Sequence, residues 1–185
     1  MDSKWLMGFI EASGCFSVVI RKSQNSVGYQ TTADFTIKLP LSQKPFLEGI
    51  RDFFRAGKIY QNKNEAIFKV TRLDDVKALI GFFQKESFTT EEKKREFSVW
   101  KKCVEMMNSG LHLTPEGVLE IARQRDSIHF RNLWNKKNYC SLRVEIDPCH
   151  IYEKTHQLPE GCRLCWGEEF KQKLVNLPLK VTGGN

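Results

Sequence analysis

The feature that most limits what this chain can become is a change of hydrophobic period at Gly14. Up to about Ser13 the apolar residues recur at helical spacing, and from Cys15 onward they alternate. Phe16, Val18 and Ile20 alternate with Ser17, Val19 and Arg21 as far as Lys22, which describes a strand with one buried face. A polar stretch from Ser23 to Gly28 has turn chemistry, and a second alternating run extends from Gln30 to Leu39. In that run Thr31, Ala33, Phe35 and Ile37 point one way, and Gln30, Thr32, Asp34, Thr36 and Lys38 the other. Two long half-buried strands across a short loop pair antiparallel and need a layer over their apolar side.

Helices supply that layer. Ser3 is placed to cap the first, from Lys4 to about Ser13, with Gly8 and Ala12 one turn apart on one face. Pro40 closes the second strand. Ser42 then introduces a helix with Phe46, Leu47, Ile50, Phe53 and Phe54 at helical spacing and Gly57 at its exit. Lys58–Gln61 and Glu65–Thr71 read as a hairpin across Asn62-Lys63-Asn64. Asp74 and Asp75 suit the first turn of the next helix, whose apolar face is Val76, Leu79, Ile80 and Phe83. A linker through Phe88 precedes a basic helix around Lys93 to Met107, and Thr114-Pro115-Glu116 opens a last one to about Asp126. The order is α-β-β-α-β-β-α: an α+β fold, with helices on one face of a four-stranded antiparallel sheet. Beyond Phe130 the periodicity fades, which divides the chain into a core, residues 1–130, and an extension, residues 131–185.

Composition narrows the function classes. Hydrophobic residues make up 41% of the 185, with 13 Phe, so global disorder is excluded. No apolar run approaches the roughly 20 residues of a membrane span, and the N-terminus lacks the pattern of a secretory signal. The expectation is an intracellular protein without a membrane partner. The 29 Lys and Arg against 22 Asp and Glu leave a charge of +7, which suits a polyanion without choosing one.

The residues around Gly14 choose further. Leu6-Met7-Gly8-Phe9-Ile10-Glu11-Ala12-Ser13-Gly14 resembles the nonapeptide of the LAGLIDADG homing endonucleases. The series continues with Gly57-Lys58-Ile59, the helix from Leu73 to Phe83, the Lys-Lys-Arg-Glu-Phe-Ser-Val-Trp segment at 93–100 and His112-Leu113-Thr114-Pro115-Glu116-Gly117. That resemblance, over about the first two-thirds of the chain, implies a saddle-shaped sheet on double-stranded DNA. It also implies metal-dependent phosphodiester hydrolysis giving a double-strand break, in the service of intron homing. Only one copy of the nonapeptide is present; Leu79-Ile80-Gly81-Phe82-Phe83 lacks the acidic ending. One copy per chain implies a homodimer on a pseudo-palindromic site, with Leu6, Gly8, Phe9 and Ala12 at the helix–helix contact.

This chain departs from the family at the position that binds metal. The family's acid is the eighth motif residue, here Ser13, whereas Glu11 occupies the sixth, where the family's carboxylate is usually structural. A neutral hydroxyl is a poor ligand for Mg²⁺, so Glu11 is left as a weak candidate and cleavage is expected to be impaired. The family's polar residue at the end of the second strand aligns with Leu39, or with Lys38 if the register moves by one; its basic residue near the cleavage point aligns with Lys93 or Lys94. Natural decay, reuse and engineered inactivation are open accounts of Ser13, and the first two agree with Leu39. Reuse has a concrete form: an RNA-binding intron-splicing cofactor, or maturase, on the same scaffold.

The residues expected on DNA are Ser17, Val19, Arg21, Gln30, Thr32, Asp34, Thr36 and Lys38 on one sheet face, with Lys22, Gln24 and Asn25 at the first hairpin loop. Lys58, Tyr60, Lys69 and Arg72 join them from the second hairpin. Six Cys are scattered through the chain. Cys15 and Cys103 follow apolar patterns and read as core. Cys162-Arg163-Leu164-Cys165, with Cys149, His150 or His156, has spacing that could hold a zinc ion, against the alternative of ordinary thiols.

Overall fold

The structure, a computed structural model, describes residues 1–128. In chain order, α1 spans Ser3–Ser13, β1 Gly14–Lys22, β2 Tyr29–Pro40, α2 Lys44–Phe54, β3 Lys58–Gln61 and β4 Glu65–Val70. Then come α3 over Leu73–Glu86, α4 over Glu91–Asn108 and α5 over Pro115–Ile128, with 3-10 turns at Leu41–Gln43 and Leu111–Leu113. The four strands form one antiparallel sheet in the order β1-β2-β4-β3. Burial alternates along β1 and β4, so the helices cover one face and the other is left open.

Local chemistry sets the boundaries. Asp2 rather than Ser3 caps α1, its Oδ1 accepting from the Trp5 amide at 2.8 Å. Gly14 ends the helix and starts β1 in one step. A Cβ there would stand 2.7 Å from the Ile10 carbonyl oxygen and 3.0 Å from the Phe35 ring, so the abrupt change from helix to strand needs glycine. The entry to α2 is a 3-10 turn with no side-chain cap, in place of the Ser42 cap expected from the sequence. At its exit Arg55 takes a left-handed conformation (φ 51°), followed by Gly57 at φ 79°. Thr90 caps α4.

The core is a set of rings between sheet and helices. Phe16 of β1 lies 5.5 Å from Phe35, 5.6 Å from Phe83, 5.7 Å from Phe88 and 4.9 Å from Trp100, centroid to centroid. One strand residue thus ties β2, α3 and α4 together, at separations where aromatic pairs contribute about 0.5–1.5 kcal/mol beyond area burial. Cys103 is fully buried where α4 packs, and desolvation pushes its thiol up to about 12, which keeps it protonated and unreactive. Cys15, expected in the core, is exposed: with Phe16 turned inward, period 2 sends its neighbour to the open face, where its register partner is Thr36.

Candidate nucleic-acid interface

The open face of the sheet is built by register. Ser17 faces Asp34, Val19 faces Thr32, and Arg21 faces Gln30. On the other side of β2, Thr36 faces Lys69 and Lys38 faces Ile67, while Lys58 and Tyr60 of β3 face Lys69 and Ile67. Arg21, Gln30, Lys38, Lys58 and Tyr60 are exposed, and Ser17, Val19, Thr32, Thr36 and Lys69 are half-buried. Lys22 is exposed at the hairpin end of β1, and Arg72 is exposed just ahead of α3. The result is a polar, mainly basic surface about the width of four strands, interrupted by few acids.

Two side chains on or beside this face differ from expectation. Asp34 is only 2% exposed and lies beneath Lys69, which reaches diagonally from β4 to put its Nζ 2.6 Å from Oδ2. Its Oδ1 is buried with no hydrogen-bond partner among the described residues, so Asp34 orients Lys69 rather than offering itself to a ligand. Asn25, in the hairpin loop, donates from Nδ2 to the Tyr29 carbonyl at 2.6 Å, so its amide shapes the loop. Gln24 beside it is exposed. Ile67 also stands on the open face, opposite Lys38 and Tyr60, a position readable from period 2 but not singled out.

The end of α1 meets this face at Gly14. Glu11 does not point toward an open metal site: it accepts hydrogen bonds from the amides of Thr89, at 3.0 Å, and Thr90, where α4 begins. Desolvation is the largest single influence on its carboxyl and raises the pKa; hydrogen bonds from the backbone and side chains of Thr89 and Thr90 outweigh it together and hold the group at about 2. Glu11 is therefore an ionised brace between two helices, at the positive end of α4. Lys93, one turn into α4, donates from Nζ to the Gly14 carbonyl at 2.9 Å and to Glu96 at 3.0 Å, and lies 5.7 Å from the Phe16 ring centroid. Lys94 points elsewhere, paired at the surface with Glu91 at 2.7 Å. Of the two lysines, only Lys93 stands beside the motif's end.

The second-strand ambiguity resolves in the same way. Lys38 is exposed on the open face, whereas Leu39 is half-buried against the core. The hydrophobic Leu39 is therefore not a lesion in the open face.

The donor set at the end of α1 does not fit a hard divalent cation. Ser13, the last residue of the helix, offers a neutral hydroxyl, and Glu11 is engaged by α4. Among the described residues no three His, Cys, Asp or Glu side chains converge on a point that could hold a metal ion. The zinc reading of Cys149, His156, Cys162 and Cys165 lies outside the described residues.

The expected helix–helix contact is redrawn. Leu6 is fully buried in the chain's own core, packed inward from α1, so it is not on the outward stripe. Phe9 is half-buried, stacked 5.8 Å from Trp5 and edge-on at 5.0 Å to Phe46. The outward stripe is Trp5, Gly8 and Ala12: Trp5 is 54% exposed, Gly8 and Ala12 are exposed, and nothing lies within 4 Å of where a Gly8 Cβ would be. Trp5 shares the i, i+3, i+7 spacing with the two small residues, a helical signal present in the sequence.

The four-stranded antiparallel sheet in the order β1-β2-β4-β3, with a small-residue helix running directly into its first strand, is the α+β arrangement expected from the sequence. Residues 6–104 match the sequence profile described as "LAGLIDADG endonuclease", more than half of the chain, and the chain belongs to that family. Among curated relatives it is 29% identical over 125 residues to the "Probable intron-encoded endonuclease 3" of Neurospora crassa, covering 66% of this chain and 23% of that protein. It is 28% identical over 113 residues to the "Probable intron-encoded DNA endonuclease 1" of Mycosarcoma maydis, covering 60% of this chain and 41% of that one. The chain thus spans less than half the length of the curated relatives it matches. Among solved structures it superposes on the homing endonuclease I-TnaI with TM-score 0.67 at 26% identity, over 75% of this chain and 90% of that one. It superposes equally well, at 28% identity over 70% of this chain and 45% of the other, on I-SmaMI bound to uncleaved DNA in the presence of calcium.

Proposed function

We propose that this chain binds double-stranded DNA along the open face of its sheet, paired through α1 with a second copy, and that its cleavage is weakened or lost. The binding half rests on one arrangement: Arg21, Lys38, Lys58 and Lys69 stand on one antiparallel surface made of two hairpins, each a two-stranded ribbon of the kind a major groove admits. Thr32, Thr36, Gln30 and Ser17 between them supply donors and acceptors for base edges, while the cations neutralise phosphates. The solved neighbour I-SmaMI, similar in fold over 70% of this chain, is bound to a DNA target, which supports DNA as the partner.

The cleavage half rests on the pairing of Ser13 with an engaged Glu11. In the family's reaction the bound Mg²⁺ activates water and neutralises developing charge, and here the two motif positions present a hydroxyl and a brace. A second copy would bring the same two side chains, so dimerisation does not repair the deficit. Lys93 remains beside Gly14 to hold the end of the helix.

Selection of bound duplexes from a random DNA pool tests the proposal. Enrichment of a site with two related half-sites is the expected result. No enrichment at low salt, or a preference for structured RNA over every duplex, would overturn it.

A further inference from the structure

A cleft of about 460 Å³ opens where the end of α2 meets the β3–β4 ladder and the start of α3. Its lining includes Arg51, Arg55, Lys58, Lys69 and Arg72, drawn from two stretches of chain, residues 51–60 and 69–75. Two acids share the lining, Asp52 and Asp75. Asp52 is already forked by its neighbour Arg51, at 2.7 and 2.9 Å. Lys69 is held by Asp34. Arg55, Lys58 and Arg72 are in no ion pair among the described residues.

Two further observations bear on this site. Lys58 and Lys69 are direct register partners on the open face, and like charges placed opposite one another repel. Arg55 sits at φ 51°, in the left-handed position after a helix where glycine is the easy residue. Gly57 lets the turn close on β4: a Cβ there would lie 2.8 Å from the Lys69 carbonyl oxygen. An anion relieves the repulsion and gives the strained arginine a partner.

We propose that this cleft takes a phosphodiester segment of the bound duplex, with Arg55 and Arg72 as phosphate ligands beyond the edge of the sheet. The proposal rests on the duplex-binding reading above. It extends the footprint from the open face onto α2, through residues that carry no base information.

Arg55→Gly gives a clean test, because glycine suits that backbone and the variant should melt at or above the wild-type temperature. Affinity for a selected duplex is measured across a salt series for wild type, Arg21→Ala, Arg55→Gly and Arg55→Gly/Arg72→Ala. Each lost phosphate contact should lower the slope of log K against log salt by about 0.9, and a pair of copies loses two contacts per substituted residue, so the expected loss is about two for the single variant and about four for the double. Wild-type slope and affinity in both cleft variants, or weaker binding at an unchanged slope, would overturn the phosphate role while leaving duplex binding intact. Failure of wild type to bind any duplex would instead remove the DNA reading, and this proposal with it.

Discussion

At the scale of single residues, the end of α1 is organised by what Glu11 and Lys93 hold. Glu11 has its pKa lowered from 4.5 to about 2, so its ionised form is favoured by folding. That contribution is complete above the ordinary value of 4.5 and disappears as pH falls through the window down to about 2. Glu11→Gln should therefore be less stable than wild type at neutral pH by about 1 kcal/mol, the scale of a lost helix cap. The gap between the two should shrink as acid titrates the wild-type carboxylate; denaturant melts at pH 7 and pH 3 measure it. The lysines give a contrast within one turn of helix. Lys93 has its side chain 14% exposed and Lys94 47%. Lys93→Ala leaves Glu96 and the Gly14 carbonyl unpartnered and should cost about 1–3 kcal/mol. Lys94→Ala removes a surface pair and should stay within about 0.5 kcal/mol of wild type by the same melts.

At the scale of elements, Phe16 is the piece on which the first hairpin and two helices depend. Truncation to alanine removes its contacts to Phe35, Phe83, Phe88, Phe97 and Trp100 together. Phe16→Ala should cost about 3–5 kcal/mol and lower the melting temperature sharply in calorimetry. The element order was legible because the period changes at each boundary, first at Gly14, and alternation assigns both faces of β1 and β2. What escaped was decided by single atoms. The α1 cap went to Asp2 because its Oδ1 reaches the Trp5 amide, a choice that adjacent Asp and Ser do not reveal. That Lys38 faces outward was legible from alternation; which of Lys38 and Leu39 matches the family's polar position was not, because one alignment gap shifts it. Asp34 alternates outward as expected, yet the diagonal reach of Lys69 buries it. The Arg51–Arg55 side of the basic cleft was hidden because α2 and the β3–β4 hairpin come together only in the folded chain. Trp5 was overlooked although its spacing from Gly8 and Ala12 was visible.

At the scale of the whole molecule, we propose one surface for a polyanion and another for a copy of α1. Nothing lies within 4 Å of a Cβ added at Gly8, so Gly8→Leu should fold normally, with helix propensity improved by about 1 kcal/mol. The same side chain would stand between two closely packed helices. Sedimentation velocity should show wild type as a dimer and Gly8→Leu as a monomer; a wild-type monomer, or a dimer in both, would refute pairing through α1. The central claim is that binding outlives cutting in this chain because of Ser13. The most direct measurement puts wild type and Ser13→Asp on the same selected duplex, with affinity read in Ca²⁺ and strand scission in Mg²⁺. Equal affinities within a few-fold, with scission slower in wild type by about 10²-fold or more, a difference of at least about 2.7 kcal/mol in barrier height, are the predicted result. Wild-type scission as fast as that of Ser13→Asp would contradict it.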